Sequence, residues 1–233
     1  MIFSIIIPIY NEENTILELL RRLDKLKFST FKKEIIVIDD GSSDNTRKIL
    51  EDHKNLYDKI YFNQKNEGKG SAVRLGLNKS KGDYIVIQDG DLEYDPNDLI
   101  KFEKVFLSFQ ADGIIGSRFS YDQYIRSHSI LNKFANFLLT FFFNILYNTT
   151  FTDIYSCYFA FRKELIDIKR LKVNGFAQHA EILTHVIKKG SRFYEVPINY
   201  DGRSFSEGKK IKFYHFFPVI FQILIGKLKW AKS

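Results

Sequence analysis

Two aspartates separated by one glycine form the motif with the clearest chemistry in this sequence, Asp89-Gly90-Asp91, and Glu93 follows two residues later. Carboxylate oxygens are the ligands that Mg²⁺ and Mn²⁺ prefer, and substrate phosphate oxygens often complete the coordination. The motif therefore indicates a Mg²⁺ or Mn²⁺ site formed by Asp89, Asp91 and Glu93, which would suit a nucleoside diphosphate leaving group. A solvated turn is the alternative interpretation.

Polar residues also follow the first two apolar runs of the chain. Pro8, Tyr10 and Glu12 end the first run, and Asp39 and Asp40 end the second. We interpret Asp39 as a ligand for a nucleotide, through the edge of the base or the ribose hydroxyls. A capped turn is the alternative for the two aspartates, and ordinary half-buried packing is the alternative for Tyr10.

A glycine-flanked lysine precedes a predicted helix in the segment Asn66-Glu67-Gly68-Lys69-Gly70-Ser71. The segment matches neither the phosphate loop of ATPases nor the glycine fingerprint of dinucleotide-binding enzymes, so both classes lose their main support. The start of a helix can still bind an anion. Lys69 is therefore a candidate donor-binding residue, with an exposed lysine at a helix entry as the equal alternative.

The elements that must position these residues alternate along residues 1–116. Apolar runs rich in Ile and Val predict strands at 3–9, 34–38, 59–62, 84–88 and 113–115, and amphipathic stretches between them predict helices at 13–26, 45–53, 70–79 and 97–109. This order predicts an α/β fold with a mostly parallel sheet flanked by helices. Ligands of such sheets bind beyond the carboxyl ends of the strands, where the polar clusters should converge.

The second half of the chain is less regular. Its pattern predicts helices at 129–147, 178–189 and 213–230 and strands at 157–162 and 193–196. The simplest division is one domain over residues 1–212 and a C-terminal amphipathic helix over residues 213–233.

Composition and charge limit the possible partners. The 233 residues include one cysteine, Cys157, so we expect a reducing compartment rather than a disulfide framework. The net charge of +7 divides into −3 for residues 1–100 and +10 for residues 101–233. A basic half suits an anionic partner such as a phosphorylated substrate or an anionic membrane. No recognisable motif supports nucleic-acid binding.

Aromatic and apolar residues concentrate in the same basic half. The two most apolar segments, residues 134–147 and 213–225, carry polar interruptions such as Asn136 and Asn144, and we expect no segment long enough to span a bilayer. The two segments are predicted to lie on an anionic membrane surface. Burial in a protein core is the alternative.

The motifs together resemble family 2 glycosyltransferases of GT-A fold. The resemblance covers residues 3–212, and the later blocks are similar to the polyprenyl-phosphate branch, which includes dolichol-phosphate mannosyltransferase. The blocks that carry it are SIIIPIYNEE (4–13), VIDDGSSD (37–44), NEGKG (66–70), DGDLE (89–93), GSR (116–118), TDIYSCY (152–158), EVPI (195–198) and RSFSEGKKI (203–211).

The resemblance implies a role for each matching residue. Asp91 and Arg203 would be catalytic, and Arg118 and Arg126 would bind the acceptor phosphate. Glu93 departs from the glutamine common at its position in mannosyltransferases, which leaves the donor sugar open. The donor-binding residues implied are Pro8, Tyr10, Glu12, Asp39, Lys69, Asp89, Asp91, Arg203 and Lys209, and the metal ligands are Asp89, Asp91 and Glu93.

The resemblance implies an inverting transfer of one sugar from a nucleotide-sugar donor, GDP-mannose or UDP-glucose, to dolichyl or undecaprenyl phosphate. We expect the enzyme at the cytoplasmic face of a membrane, and the need for a separate membrane subunit stays open. One alternative is transfer to a hydroxyl of a glycan, for which Asp153 would be the general base. A non-catalytic nucleotide-sugar-binding subunit is the alternative from another class.

Overall fold

The computed structural model describes residues 1–119, 130–203 and 216–229. Within them, one sheet has the strand order β3-β2-β1-β4-β6-β5-β7. The strands are β1 (Ile2–Ile9), β2 (Lys32–Asp39), β3 (Lys59–Phe62), β4 (Tyr84–Ile87), β5 (Gly113–Ser117), β6 (Phe159–Arg162) and β7 (Phe193–Pro197).

Helices cover both faces of this sheet, as the alternating pattern predicts. They are α1 (Ile16–Lys25), α2 (Thr46–Asp52), α3 (Lys69–Lys79), α4 (Leu99–Phe109), α5 (Ile130–Tyr147), α6 (Gln178–Lys189) and α7 (Phe216–Lys229). The Asp95 side chain accepts a hydrogen bond from Asn97 N (3.0 Å), and Pro96 begins the short 3₁₀ turn of Pro96–Asp98 that precedes α4, so the expected cap belongs to this turn rather than to α4 itself.

The core lies in two layers because successive side chains of a strand point to opposite faces. Phe3, Ile5 and Ile7 of β1 pack in the layer that includes α1, α2 and α4. Ile6, between them, packs in the layer that includes α3, α5, α6 and α7. The strands are buried on both faces, and this explains their nearly continuous apolar sequence.

The sheet is mixed rather than uniformly parallel. β6 pairs antiparallel with β4 and with β5, while the other pairs are parallel. The expected mostly parallel α/β sheet is confirmed, and β6 is its exception. Because β6 runs in reverse, its beginning meets the carboxyl ends of β1, β4 and β5 at one edge of the sheet, and residues just before β6 join that edge.

The long aromatic helix requires a correction. α5 has 18 residues and a mean hydropathy of 1.3, and it is long and apolar enough to cross a membrane by length and composition only. The expectation that no segment reaches this length was wrong, since Asn136 and Asn144 do not interrupt the helix. Only 22% of the segment is buried. Length and composition do not distinguish a spanning helix from one that lies on a surface.

Candidate active site

A cavity of about 400 Å³ opens at the edge of the sheet where the strand ends converge. One side is lined by Pro8, Tyr10, Glu12, Asp89 and Asp91, which follow or end β1 and β4. The wall also includes helical and loop residues from the second half of the chain, namely Asn132, Ala135, Asn136, Leu139, Tyr155, Phe176 and Phe216. The topology therefore brings the predicted acidic motif to one large cavity.

Asp89 is held by a lysine at the cavity wall. Lys69 Nζ lies 2.6 Å from Asp89 Oδ1 and 3.5 Å from Cys157 Sγ. Burial alone would raise the pKa of Asp89, but the Lys69 ammonium outweighs it and keeps that pKa below the ordinary value. Burial, with Asp89 nearby, raises the pKa of the Cys157 thiol to about 12. Asp89 is therefore a carboxylate and Cys157 a neutral thiol at neutral pH.

Asp91 has more negatively charged surroundings than Asp89. Burial, followed by repulsion from Asp89 and Glu93, raises the pKa of Asp91 to about 7. The guanidinium of Arg203 opposes that shift, with its Nη2 atom 2.8 Å from Asp91 Oδ2. The carboxylate cluster thus has an excess of negative charge that further positive charge would relieve.

Arg203 connects three carboxylates across the cavity. Besides Asp91, its Nε atom lies 3.3 Å from Glu93 Oε1 and its Nη1 atom lies 3.5 Å from Glu12 Oε2. The other oxygen of Glu93 accepts a hydrogen bond from Tyr200 Oη (2.8 Å). Glu93 therefore fixes the segment that delivers Arg203 to the site.

The predicted metal ligands fit a divalent cation in part. Asp89 and Asp91 supply oxygen ligands of the type that Mg²⁺ and Mn²⁺ prefer, and both line the cavity beside space for substrate oxygens. In the described part of the chain, no group of three or more His, Cys, Asp and Glu side chains is placed to hold a metal ion. A cation held by Asp89 and Asp91, with substrate oxygens as its remaining ligands, fits these residues. The assignment of Glu93 as a third ligand stays a prediction.

The glycine-rich segment serves a different purpose from the one expected. The backbone N–H groups of Glu67 and Gly68 donate to Asp40, and Gly70 N donates to Asn174 O (2.7 Å). A side chain at Gly70 would meet Val173 O at 2.2 Å. The backbone N–H groups at the start of α3 therefore bind the protein's own Asp40 carboxylate and Asn174 carbonyl, and Gly70 allows the loop of Asn174 to approach. Lys69 still lines the cavity, through its pairing with Asp89.

The two aspartates that end β2 have separate positions. Asp39 is 1% exposed, accepts a hydrogen bond from Ser42 N (3.2 Å) and is not among the residues that line the cavity. Asp40 lines the cavity. The carboxylate of Asp40 also accepts a hydrogen bond from Asn63 Nδ2 (2.7 Å). The proposed contact of Asp39 with a nucleotide stays a prediction, and Asp40 is a wall residue that the motif analysis did not assign.

Arg118, which directly follows β5, adds a third cation to the cavity wall beside Lys69 and Arg203. Its Nε and Nη2 atoms lie 2.7 Å and 2.8 Å from the two carboxylate oxygens of Asp153, and its guanidinium lies 5.1 Å from the centre of the Tyr200 ring. Asp153 is fully buried. Since Arg118 occupies both oxygens, the expectation that Asp153 acts as a general base is wrong for this geometry.

Not every predicted residue can be compared with the structure. Arg126 and Lys209 lie outside the described residues. Cys157, Tyr155 and Asn136 line the cavity although motif reasoning assigned them no role. One signal was present for Asn136: it and Asn132 are spaced four residues apart on an otherwise apolar helix, which places both on one face.

Comparison with known sequences gives relatives of similar length and of greater length. Uncharacterized protein MJ0544 of Methanocaldococcus jannaschii is 33% identical over 201 residues, which are 82% of this chain and 84% of that protein. A dolichol-phosphate mannosyltransferase of Pyrococcus furiosus is 29% identical over 211 residues, which are 88% of this chain and 58% of that protein. The chain therefore spans little more than half of the mannosyltransferase.

Solved structures and a family model agree with the expected fold. Glucosyl-3-phosphoglycerate synthase from Mycobacterium tuberculosis, in complex with Mn²⁺, UDP and phosphoglyceric acid, has a TM-score of 0.71 at 18% identity, over 97% of this chain and 78% of that one. That likeness confirms the GT-A fold. The model of Glycosyl transferase family 2 matches residues 4–168. Because the match covers more than half of the chain, this protein belongs to glycosyl transferase family 2.

Proposed function

We propose that this protein is an inverting enzyme that transfers one sugar from a nucleotide-sugar donor to a polyprenyl phosphate at a membrane surface. The observation that carries the proposal is a cavity whose wall combines the carboxylates of Asp89 and Asp91, the cations Arg203 and Arg118, and apolar residues of α5 and α7. The carboxylates and Arg203 suit a sugar nucleotide, and Arg118 together with the apolar residues suits an anionic group attached to an apolar chain.

The donor would bind between the ends of β1 and β4. Asp89 and Asp91 would hold Mg²⁺ or Mn²⁺, and a cation bound there would act as a Lewis acid that stabilises the leaving diphosphate. The Mycobacterium synthase was solved with Mn²⁺ and UDP, which supports this assignment. Arg203, already fixed by Glu93, is within reach of the same space and would bind the diphosphate. The base and the sugar, GDP-mannose or UDP-glucose, stay open.

The acceptor phosphate would bind at Arg118. Burial alone would lower the pKa of this guanidinium, but the Asp153 carboxylate raises it further above its ordinary range, so Arg118 is a permanent cation. Asp153 also fixes the orientation of the guanidinium through two hydrogen bonds. The name of the Pyrococcus relative, a dolichol-phosphate mannosyltransferase, supports a polyprenyl-phosphate acceptor.

The proposed reaction needs no general base. A phosphate oxygen of the acceptor is already anionic, and it would form a bond with the anomeric carbon while the bond from that carbon to the nucleoside diphosphate breaks. Direct displacement inverts the configuration at that carbon. Arg203 would stabilise the negative charge that develops on the leaving group, and stabilisation of this kind is usually the largest contribution to catalysis.

The membrane surface would be contacted by one face of α5 and α7. Lys227 and Lys229 at the end of α7 would add attraction to anionic lipids. A cytoplasmic location agrees with a free thiol at Cys157. The apolar residues exposed on these helices are Ile130, Leu131, Phe134, Phe137, Leu138, Phe141, Ile145, Phe217, Phe221 and Leu228.

The alternatives are less well supported. Transfer to a hydroxyl needs a base, and the carboxylate considered for that role, Asp153, is occupied by Arg118. A non-catalytic subunit would not require Arg203 to be anchored at three carboxylates in the same cavity.

The test is a transfer assay with the purified chain, Mg²⁺ or Mn²⁺, a short polyprenyl phosphate and radiolabelled GDP-mannose or UDP-glucose. The proposal predicts label in the organic phase with one donor, and loss of that label with EDTA or with Asp91→Asn. Asp52→Asn, an exposed aspartate on α2, is the matched control and should retain full transfer. Donor hydrolysis without label in the organic phase would contradict the proposed polyprenyl-phosphate acceptor. The absence of any reaction with either donor would contradict the proposal that the protein is an enzyme.

A further inference from the structure

A buried carboxamide without a partner lies in the cavity wall. Asn136 on α5 is 7% exposed and lines the cavity, and among the described residues its Oδ1 atom has no hydrogen-bond partner. The other α5 residues that line the cavity are the apolar Ala135 and Leu139 and the exposed Asn132. Buried polar atoms are nearly always paired because an unpaired one costs free energy, so this oxygen calls for a ligand.

The structure gives the position of Asn136 relative to the rest of the site. One helical turn further along α5, Thr140 Oγ1 accepts a hydrogen bond from Ile154 N (3.3 Å). Ile154 directly follows Asp153, which holds Arg118. Asn136 therefore lies on a helix that packs against the segment holding Arg118, and both residues line the same cavity.

The chemistry of the carboxamide selects among the groups that could occupy this position. It offers one acceptor oxygen and two N–H donors, and its complement is a group that both donates and accepts, such as a hydroxyl. An anionic phosphate would leave the oxygen unpaired, and an isoprenoid chain has no polar atoms. Among the parts of the proposed reactants, hydroxyls are carried by the transferred sugar and by the ribose, and the ribose belongs to the nucleotide proposed to bind between the ends of β1 and β4.

We propose that Asn136 binds a hydroxyl of the transferred sugar and so contributes to the choice of donor. This inference rests on the proposed function, since it requires a sugar nucleotide in the cavity. It adds a sugar-selecting residue from the second half of the chain, supplied by a helix whose other cavity residues are largely apolar.

Gln178 provides a matched control. It is also a carboxamide on a helix, it is 4% exposed, and among the described residues its Oε1 atom has no partner. Gln178 is not among the residues that line the cavity. If an unpaired amide were only a feature of packing, replacing either residue would have the same effect on ligand binding.

The experiment measures binding by calorimetry, in the presence of Mn²⁺, for UDP-glucose against UDP and for GDP-mannose against GDP. Asn136→Leu should weaken binding of the preferred sugar nucleotide by about 5–20-fold and change binding of the nucleoside diphosphate by less than about twofold. Gln178→Met should change neither. Urea unfolding confirms that both variants are folded, and Asn136→Ser replaces Asn136→Leu if the leucine variant is not.

A second measurement uses donors that lack one hydroxyl at a time. The donor that lacks the hydroxyl bound by Asn136 should bind wild type weakly and should lose nothing further in the Asn136 variant. Equal losses for sugar nucleotide and nucleoside diphosphate, or no loss at all, would overturn the inference while leaving the proposed function intact. Failure of the wild type to bind any sugar nucleotide would overturn both.

Discussion

The guanidinium of Arg118 and the carboxylate of Asp153 form a bidentate ion pair in which the carboxylate is fully buried. The backbone N–H of Arg118 donates to the same carboxylate at 3.1 Å. The segment that carries Asp153 is fixed by Glu195, which accepts hydrogen bonds from Thr152 N and Asp153 N. Asp153 therefore acts through Arg118, as a positioning residue.

Asp153→Asn should destabilise the protein strongly. The substitution leaves the Arg118 cation, whose side chain is only 15% exposed, without its counter-charge, and breaking a buried pair in this way costs up to about 3–5 kcal/mol. Urea denaturation monitored by circular dichroism measures the change in the free energy of unfolding.

An exposed ion pair provides the comparison for this prediction. Arg47 and Glu51 lie four residues apart on α2, and each side chain is 53% exposed. Glu51→Gln should leave stability almost unchanged, because surface pairs contribute little. Equal losses for Asp153→Asn and Glu51→Gln would contradict the importance assigned to burial.

Much of the first half of the fold could be predicted from sequence because its patterns are local. The predicted strands at 3–9 and 59–62 lie within one residue of the observed ends, since isoleucine and aromatic residues, which favour strands, dominate both segments. The convergence of the acidic motif with Tyr10 and Glu12 followed from the rule for parallel sheets. Both predictions needed only short stretches of chain and the direction of the strands.

The remainder depends on contacts between distant segments. The four residues of β6 do not indicate that this strand runs antiparallel to β4. That direction places Cys157, just before β6, at the cavity. Motif spacing places Gly70 in an anion-binding loop, whereas its partner is Asn174, more than one hundred residues later. The partner of Asp153 is Arg118, 35 residues earlier, and because this ion pair occupies both oxygens of Asp153, its expected role as a base was wrong.

Gly70→Ala should destabilise the contact between α3 and the loop of residues 173–176. The new methyl group would meet Val173 O at 2.2 Å and the backbone carbon of Asn174 at 2.9 Å, so the loop must shift. We expect a loss of about 1–3 kcal/mol in the free energy of unfolding, the usual cost of overpacking. Thermal and urea unfolding measure it.

Gly175→Ala is the matched control in the same loop, because a methyl group there would meet no atom within 4 Å. Its stability should stay close to that of the wild type. A Gly70→Ala variant as stable as Gly175→Ala would show that the loop does not lie against α3 as described.

Glu103→Gln should destabilise the protein by about 1.5–3 kcal/mol at neutral pH, because hydrogen bonds to a charged group are lost. The Glu103 carboxylate accepts hydrogen bonds from the backbone N–H groups of Ser29, Thr30 and Phe31, at 2.7–2.8 Å. Urea unfolding at several pH values, with wild type and variant in parallel, measures the difference.

The pH dependence of that difference follows from the pKa of Glu103. Burial would raise it, but the backbone hydrogen bonds hold the pKa of Glu103 below its ordinary value of 4.5. The carboxylate therefore stabilises the folded state fully above pH 4.5, and this contribution declines as the pH falls through the lower folded value. A difference between wild type and variant that grows on acidification would contradict this account.

Charges on the exposed face of α5 should weaken membrane binding. Phe137 and Phe141 are 58% and 55% exposed on that face, and a vesicle surface would bury them. The double variant Phe137→Asp, Phe141→Asp should reduce sedimentation with anionic phospholipid vesicles by at least about tenfold, since it loses apolar burial and adds repulsion.

The matched control for vesicle binding is the double variant Ile100→Asp, Leu107→Asp on α4, whose side chains are 43% and 37% exposed. It adds the same charge on a different helix and should bind vesicles like the wild type. Equal losses for both double variants would show that net charge, and not the face of α5, controls the binding.

The most direct test of the central claim is the initial rate at which labelled sugar is transferred from the nucleotide donor to a polyprenyl phosphate by wild type and by Arg203→Gln. Arg203 is the cation that bridges Glu12, Asp91 and Glu93 in the cavity. We expect a fall of at least about 100-fold for the variant, because charge stabilisation of the leaving group is lost. An unchanged rate for a folded Arg203→Gln protein, or no lipid-linked product from the wild type with any donor, would contradict the account.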